Sequence, residues 1–138
     1  MLDFTTAFGQ RAAARLQSEE IIWLTTVDGA GMPQPSPVWF LWEGETLLIF
    51  SEPKTPKIAN IRRSPKVALH FDGDGEGGDI VVLTGEAAIV SEDPVAAIPA
   101  AYVAKYAEGL KDITLTADEM AAKYSAAIRV TPTKLRGF

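Results

Sequence analysis

Ser51, Thr55, Pro56 and Lys57 are spaced as the parts of a phosphate cradle. Leu47 to Phe50 is an apolar, β-prone run that ends at Ser51, and Thr55 then offers an N-cap hydroxyl directly before Pro56. Proline is favoured at the first helical position because the N–H it lacks is one the helix leaves unpaired. The pattern predicts a short helix that starts at Pro56 and is stopped by Pro65. Lys57 falls in its first turn, at the positive end of the helix dipole, where a lysine is poorly placed for the helix itself. An anion relieves that conflict. Free backbone N–H groups, the Ser51 and Thr55 hydroxyls and the Lys57 ammonium then converge on one point, as helix N-termini do when they hold phosphate. The alternative reading of the same residues is a solvated lysine at an ordinary strand–helix junction.

Basic residues gather around this point. Lys54, Lys57, Arg62, Arg63 and Lys66 lie within thirteen residues of a chain whose net charge is -5 and whose pI is about 4.8. The global field repels nucleic acid and anionic membrane, and neither is expected as a partner, while the local field suits a small anion. Arg62 and Arg63 are therefore candidate anion ligands, with a solvated helix face as the alternative. Other chemistries find little to work with. His70 is the single histidine and cysteine is absent, so a His-dependent triad, a thiolate nucleophile and a Cys-ligated metal have no residues to build on. The alternating pattern around His70 reads it as a partly buried strand residue, with haem ligation as an outside alternative. The loop Asp72 to Asp79 resembles a calcium loop until its twelfth position, Leu83, where a bidentate Glu is required. Its glycines are not followed by a helix, so they form no dinucleotide fingerprint.

At 138 residues, with 47% apolar and 22% charged residues, the chain reads as one folded domain over 1–138. Its longest apolar runs, such as Val38 to Trp42, are too short to span a bilayer. The N-terminus has no basic start followed by an apolar stretch, and without Cys the expectation is a cytoplasmic protein. Phe4, Phe8, Ala12 and Leu16 recur every fourth residue and predict an N-terminal helix over Asp3 to Leu16. Ile21 to Val27 and Pro37 to Trp42 read as a hairpin joined through Asp28-Gly29-Ala30-Gly31. Thr46 to Ser51, Lys66 to Phe71 and Ile80 to Val90 follow as strands, the last with a bulge at Gly85. Glu92 to Leu110 is Ala-rich and helical, broken at Pro99 and Gly109. Thr116 with Glu119 makes a capping box for a helix ending near Tyr124, and Ser125 to Thr131 is a sixth strand. The expected fold is mainly β with peripheral helices, a six-stranded antiparallel barrel without exposed edges.

The ordered set of Trp23-Leu24-Thr25-Thr26-Val27, Asp28-Gly29, Gly31, Pro33 to Phe40, Ser51 with Lys57 and Asn60, and Pro65 to Leu69 resembles the pyridoxamine-phosphate-oxidase-like flavin split barrels. Within them it is most similar to the actinobacterial-type reductases that use the deazaflavin coenzyme F₄₂₀. The likeness is clear over about Ile21 to Val90 and loose in the last strand. It implies a Greek-key split β-barrel that works as a homodimer, with cofactor at the interface and its phosphate on Ser51, Thr55 and Lys57. Pro37, Val38 and Trp39 are implied to run beside the ring, with Trp39 the best aromatic candidate, although Trp23, Trp39 and Trp42 are also natural core residues. The implied activity is hydride transfer between the reduced cofactor and an electron-poor double bond of a small-molecule substrate, which asks no catalytic acid or base of the protein. The anionic tail of F₄₂₀ gives Arg62, Arg63 or Lys66 a purpose that FMN does not. The alternatives are an FMN-dependent oxidoreductase of pyridoxamine-phosphate-oxidase type and a non-catalytic flavin, deazaflavin or haem binding protein. Arg129 and Arg136 could serve a site across the dimer or only the surface.

Overall fold

The chain from Pro33 to Trp42 passes from one edge of a sheet to the other in a single step, and the architecture follows from it. A computed structural model describes residues 2–91 and 98–138. Among these, seven strands form one antiparallel sheet: β1 (Ile21–Val27), β2 (Pro33–Trp39), β3 (Leu41–Trp42), β4 (Leu47–Ser51), β5 (Lys66–His70), β6 (Val81–Ser91) and β7 (Ala126–Gly137). Their order is β2-β1-β5-β6-β7-β4-β3. The two edge strands are consecutive in sequence, separated by Phe40 alone. Successive Cα atoms are about 3.8 Å apart, so the edges meet at Phe40 and the sheet has to curl into a split barrel.

This corrects the strand count from six to seven. The single strand expected over Pro37 to Trp42 is two, because Phe40 leaves the ladder between them, and β2 begins earlier, at Pro33. Pro33, Pro35 and Pro37 pair with Val27, Thr25 and Trp23 at alternate positions of an edge strand, where the missing N–H points away from the ladder. The last strand is also longer than expected. It continues through Pro132 to Gly137, because Pro132 sits opposite Gly85 where the register of β6 and β7 shifts. A Cβ on Gly85 would lie 2.2 Å from the Thr131 carbonyl oxygen, so the close crossing needs glycine there.

The inner face of the barrel is an apolar core. Ile22, Leu24, Leu47, Ile49, Leu69, Leu83 and Ile128 alternate with outward residues along their strands and are fully buried. Helix α1 (Ala7–Ser18) adds Ala12 and Leu16, and α2 (Pro56–Arg63) adds Ile58 and Ile61. The apolar stripe foreseen for α1 packs on this barrel, but the helix starts at Ala7. The Asp3 carboxylate accepts the Thr5 N–H at 2.8 Å, and Thr6 is the cap, its hydroxyl accepting from Gly9 N–H at 2.9 Å.

A second, smaller core lies between β6 and β7 in sequence. Helices α3 (Ala100–Lys105), α4 (Ala107–Asp112) and α5 (Ala117–Lys123) gather Tyr102, Tyr106, Leu110 and Met120 against Trp39, Leu41 and Phe50. The expected capping box is present, with Thr116 and Glu119 bonding reciprocally. The helical segment breaks at Tyr106 instead of Gly109, which lies inside α4. The part of that segment over 92–97 lies outside the described residues. Gly109 is explained by proximity: a Cβ there would stand 3.1 Å from the Trp39 indole.

Tyr106 joins the two cores. Phe40 is fully buried and off the ladder, and its N–H donates to the Tyr106 hydroxyl at 2.8 Å. That hydroxyl gives its one proton to the Glu20 carbonyl, and the Phe40 carbonyl accepts from Lys105 Nζ at 2.8 Å. The Lys105 ammonium also sits 3.6 Å over the Phe40 ring. Burial pulls Lys105 down to about 8, against the opposing pull of Glu20 and Glu19. The Tyr106→Phe variant keeps the packing but leaves the Phe40 N–H buried and unpaired, which costs about 1–3 kcal/mol. Urea unfolding of Tyr106→Phe is expected to show a lower midpoint at unchanged slope, and an unmoved midpoint would remove Tyr106 as the tie between the cores.

Candidate functional site

The loop from Ser51 to Lys57 is short and bonded to itself. β4 ends at Ser51, which is 3% exposed, and the Ser51 hydroxyl donates to the Glu52 carbonyl at 2.9 Å. The Thr55 hydroxyl is 3.0 Å from Ser51 Oγ and 3.3 Å from the same Glu52 carbonyl. Thr55 occupies the N-cap position of α2, yet its side chain makes no capping bond. The expectation of a Thr55 N-cap hydroxyl is corrected here: Ser51 competes for that hydroxyl and holds it toward the loop. The helix start is instead marked by Pro56 at its first position, as the sequence predicts.

Two groups are left for an anion. No acceptor among the described residues takes the Lys57 backbone N–H, and no carboxylate there comes within salt-bridge distance of Lys57 Nζ. Lys57 is half-buried. Its pKa is lowered from the ordinary 10.5 by that burial, with Glu52 opposing only at longer range. A half-buried ammonium with no contacting counter-ion gains from an incoming anion, the condition inferred from sequence by its place in the first turn.

Lys57 stands at the end of a cavity of about 460 Å³. One wall is Ile21, Pro37, Trp39 and Phe50 from the outside of the barrel, with Val38, whose side chain belongs to the inner core, between Pro37 and Trp39, and the other is Tyr102, Met120 and Tyr124 from the helical layer. Ser51, Glu52, Thr55 and Lys57 close the polar end. The structure thus brings six of the sequence-derived candidates, Pro37, Val38, Trp39, Ser51, Thr55 and Lys57, to one slot. A second cavity of about 490 Å³ continues past Thr55, Pro56 and Lys57, walled by Thr26, Asp28, Gln34 and Asn60 among others.

Arg62 and Arg63 are not in the wall of the first cavity. Arg62 borders a separate depression with Ile61, Pro65 and Ala87 to Val90. Arg63 lies against the β1–β2 turn, 3.4 Å from Asn60 Oδ1 and close beside Gly29, with Asp28 in its field. It lines neither cavity itself, but Asn60 and Asp28 beside it are in the wall of the second. Arg129 pairs with Glu43 at 3.4 Å, and Arg136 lines a groove under the N-terminal segment.

The tryptophans divide three ways. Trp39 reaches the cavity, but its ring is stacked on Tyr106 at 4.4 Å and 4° and abuts Gly109, so it is a fixed wall and not an open stacking platform. Trp42 is in the inner core. Trp23 is on the outer face, stacked on His70 at 6.1 Å, with its indole N–H on Asp72. His70 shares that outer face and is absent from the cavity wall. Sequence reasoning missed Ile21, Phe50, Tyr102, Met120 and Tyr124 as wall residues. Tyr102, Tyr106 and Leu110 recur every fourth residue, a stripe that marks a buried face and was legible had the alanines not dominated the segment.

Comparison with known proteins bears on this site. The sequence profile described as Pyridoxamine 5'-phosphate oxidase matches residues 8–138. No curated protein sequence matches the chain. Among solved structures, an F₄₂₀ reductase is 25% identical with a TM-score of 0.67, over 89% of this chain and 94% of that one. A conserved hypothetical protein from Mycobacterium tuberculosis is 25% identical with a TM-score of 0.71, over 92% and 81%. The haem storage protein HutZ from Vibrio cholerae is 16% identical with a TM-score of 0.63, over 96% and 95%, a likeness of fold alone.

The lowered Lys57 pKa sets a pH dependence. An anion favours the charged amine, so affinity is full below the pKa of the free site and falls as pH rises through it. Because burial has lowered that pKa, the fall begins at lower pH than for an ordinary lysine. Titration of the protein with inorganic phosphate above about pH 8, where phosphate is already a dianion, is expected to show this loss, and Lys57→Arg is expected to shift it to higher pH. Affinity that stays flat from about pH 8 to 10.5 would mean that Lys57 does not touch the anion.

Proposed function

Since the chain belongs to the pyridoxamine 5'-phosphate oxidase family, we propose that the slot between barrel and helical layer holds a phosphate-bearing redox cofactor, the deazaflavin F₄₂₀, and that the protein is an F₄₂₀-dependent oxidoreductase. The observation that carries the reading is Lys57, a half-buried ammonium with no contacting carboxylate among the described residues, at the polar end of an otherwise largely apolar and aromatic cavity. The cavity is of the size and mixed polarity usual for small-molecule sites. In this reading Lys57 Nζ and the Lys57 N–H hold the phosphate. One of the Ser51 and Thr55 hydroxyls can turn to it as well, since the Glu52 carbonyl keeps the other. Pro37 and Val38 lie along the ring, and Trp39, fixed by Tyr106, limits its depth.

When bound, the cofactor supplies hydride transfer to an electron-poor double bond of a small-molecule substrate. The chain's part is to orient the ring and exclude water.

F₄₂₀ is preferred over FMN because the second cavity leads on from Lys57. A phosphodiester that continues into a carboxylate tail has somewhere to go there, toward Asn60 and the Arg63 behind it, whereas FMN ends at its phosphate. FMN remains the second reading, favoured by the same cradle. The site is further proposed to be completed by a second copy of the chain in a homodimer.

A fluorescence titration with F₄₂₀ and FMN in parallel tests the proposal. F₄₂₀ is expected to bind more tightly, and Lys57→Ala is expected to weaken it by about 1.5–3 kcal/mol, the range of a charge-assisted hydrogen bond. Affinity unchanged in Lys57→Ala refutes the cradle, and a preference for FMN makes the protein a flavoprotein. Reduced cofactor that binds but reacts with no quinone, enone or tetrapyrrole would favour a binding module over an enzyme.

A further inference from the structure

Tyr102 and Tyr106 lie one helical turn apart and are buried in the same core, yet their hydroxyls fare differently. The Tyr106 hydroxyl is taken up by the backbone of Phe40 and Glu20. The Tyr102 side chain is 0% exposed, and its hydroxyl has no hydrogen-bond partner among the described residues. Its ring is held in place, edge-on to Phe50 at 5.0 Å and 87° and tilted against Tyr106 at 4.9 Å. Phenylalanine would give the same packing without a buried, unpaired hydroxyl, which is unfavourable wherever it occurs. Bulk water does not reach this group, but Tyr102 forms part of the cavity wall beside Met120 and Tyr124. The hydroxyl has no open surface on the empty cavity, so a partner from that side reaches it by displacing a wall side chain beside it.

We propose that Tyr102 is a ligand-binding residue whose hydroxyl donates a hydrogen bond to an oxygen on the edge of the planar ring held in the slot. This deepens the cofactor reading above and rests on it. Burial, with Tyr106 and Tyr124 acting in the same sense, pushes the phenol pKa upward, so the group is a neutral donor throughout the working pH range. A neutral donor buried among apolar and aromatic side chains discriminates well. A ring that offers an oxygen pairs the hydroxyl, while a ring with a methyl group in its place leaves it buried and unpaired. The deazaflavin ring of F₄₂₀ carries an oxygen on its benzenoid edge where FMN carries methyl groups, and both rings carry pyrimidine carbonyls. Tyr102 is therefore a candidate determinant of which cofactor the protein accepts.

The test uses the full chain and its Tyr102→Phe variant, titrated by fluorescence with F₄₂₀ and with FMN, and melted without ligand. The expected result is an unliganded melting temperature equal to or above that of the wild type, with affinity for F₄₂₀ lowered about 5- to 30-fold, the effect of one hydrogen bond. Loss confined to F₄₂₀ places the acceptor on the benzenoid edge, and equal loss for FMN places it on the pyrimidine carbonyls. Lys57-dependent cofactor binding that is unchanged in Tyr102→Phe overturns this proposal and leaves the cofactor reading intact. A lower melting temperature for unliganded Tyr102→Phe also overturns it, because the hydroxyl then serves the fold. Wild-type protein that binds neither cofactor overturns both.

Discussion

Phe40 carries a peptide unit that is buried but belongs to no ladder, because at this residue the chain leaves one edge of the sheet for the other. Buried backbone groups need partners, and here both come from helix-borne side chains, Tyr106 for the N–H and Lys105 for the carbonyl. Closing the barrel and docking the helical layer are thereby one event. The same tyrosine also bonds to Glu20, just before β1, so three segments far apart in sequence meet on a single oxygen.

The cavity is a product of that docking. Neither the barrel nor the helices form it alone: the helical layer stands on the outer face of β3 and β4, and the slot is the gap left where this contact stops short of the Ser51–Lys57 loop. Its walls are rigid for identifiable reasons. Trp39 is stacked on Tyr106 and abuts Gly109, Tyr102 packs edge-on against Phe50, and the loop hydroxyls hold the Glu52 carbonyl. Among the described residues, Lys57 with its own backbone N–H at one end and the Tyr102 hydroxyl in the helical wall are without such fixed partners, so charge is concentrated at one end of the slot and the rest offers shape and a single neutral donor.

Local patterns were legible where local physics decides. Alternation gave the strands, Pro56 marked the start of α2, Thr116 and Glu119 marked that of α5, and Gly85 marked the bulge. The misreadings fall where a distant partner overrides the local signal. Thr55 looks like a cap until Ser51 bonds its hydroxyl. Pro132 reads as a strand end until Gly85 lies opposite it, and Gly109 reads as a helix break until Trp39 lies against it. Pro37 to Trp42 reads as a single strand because nothing in those residues tells that its two halves join opposite edges of the sheet. For the same reason the barrel side of the cavity was foreseen in Pro37 to Trp39 and the polar end in Ser51 to Lys57, whereas the helical wall, some fifty residues away, was not.

The prolines of β2 have a meaning beyond the strand they occupy. At Pro33, Pro35 and Pro37 the outer rim of the sheet presents carbonyls but no N–H groups, so another extended segment cannot zip onto it with a regular ladder. The edge is chemically blunted against fibril-like growth. Pairing of a second chain along this rim is thereby disfavoured, and a contact made there has to rest on side chains instead of a backbone ladder.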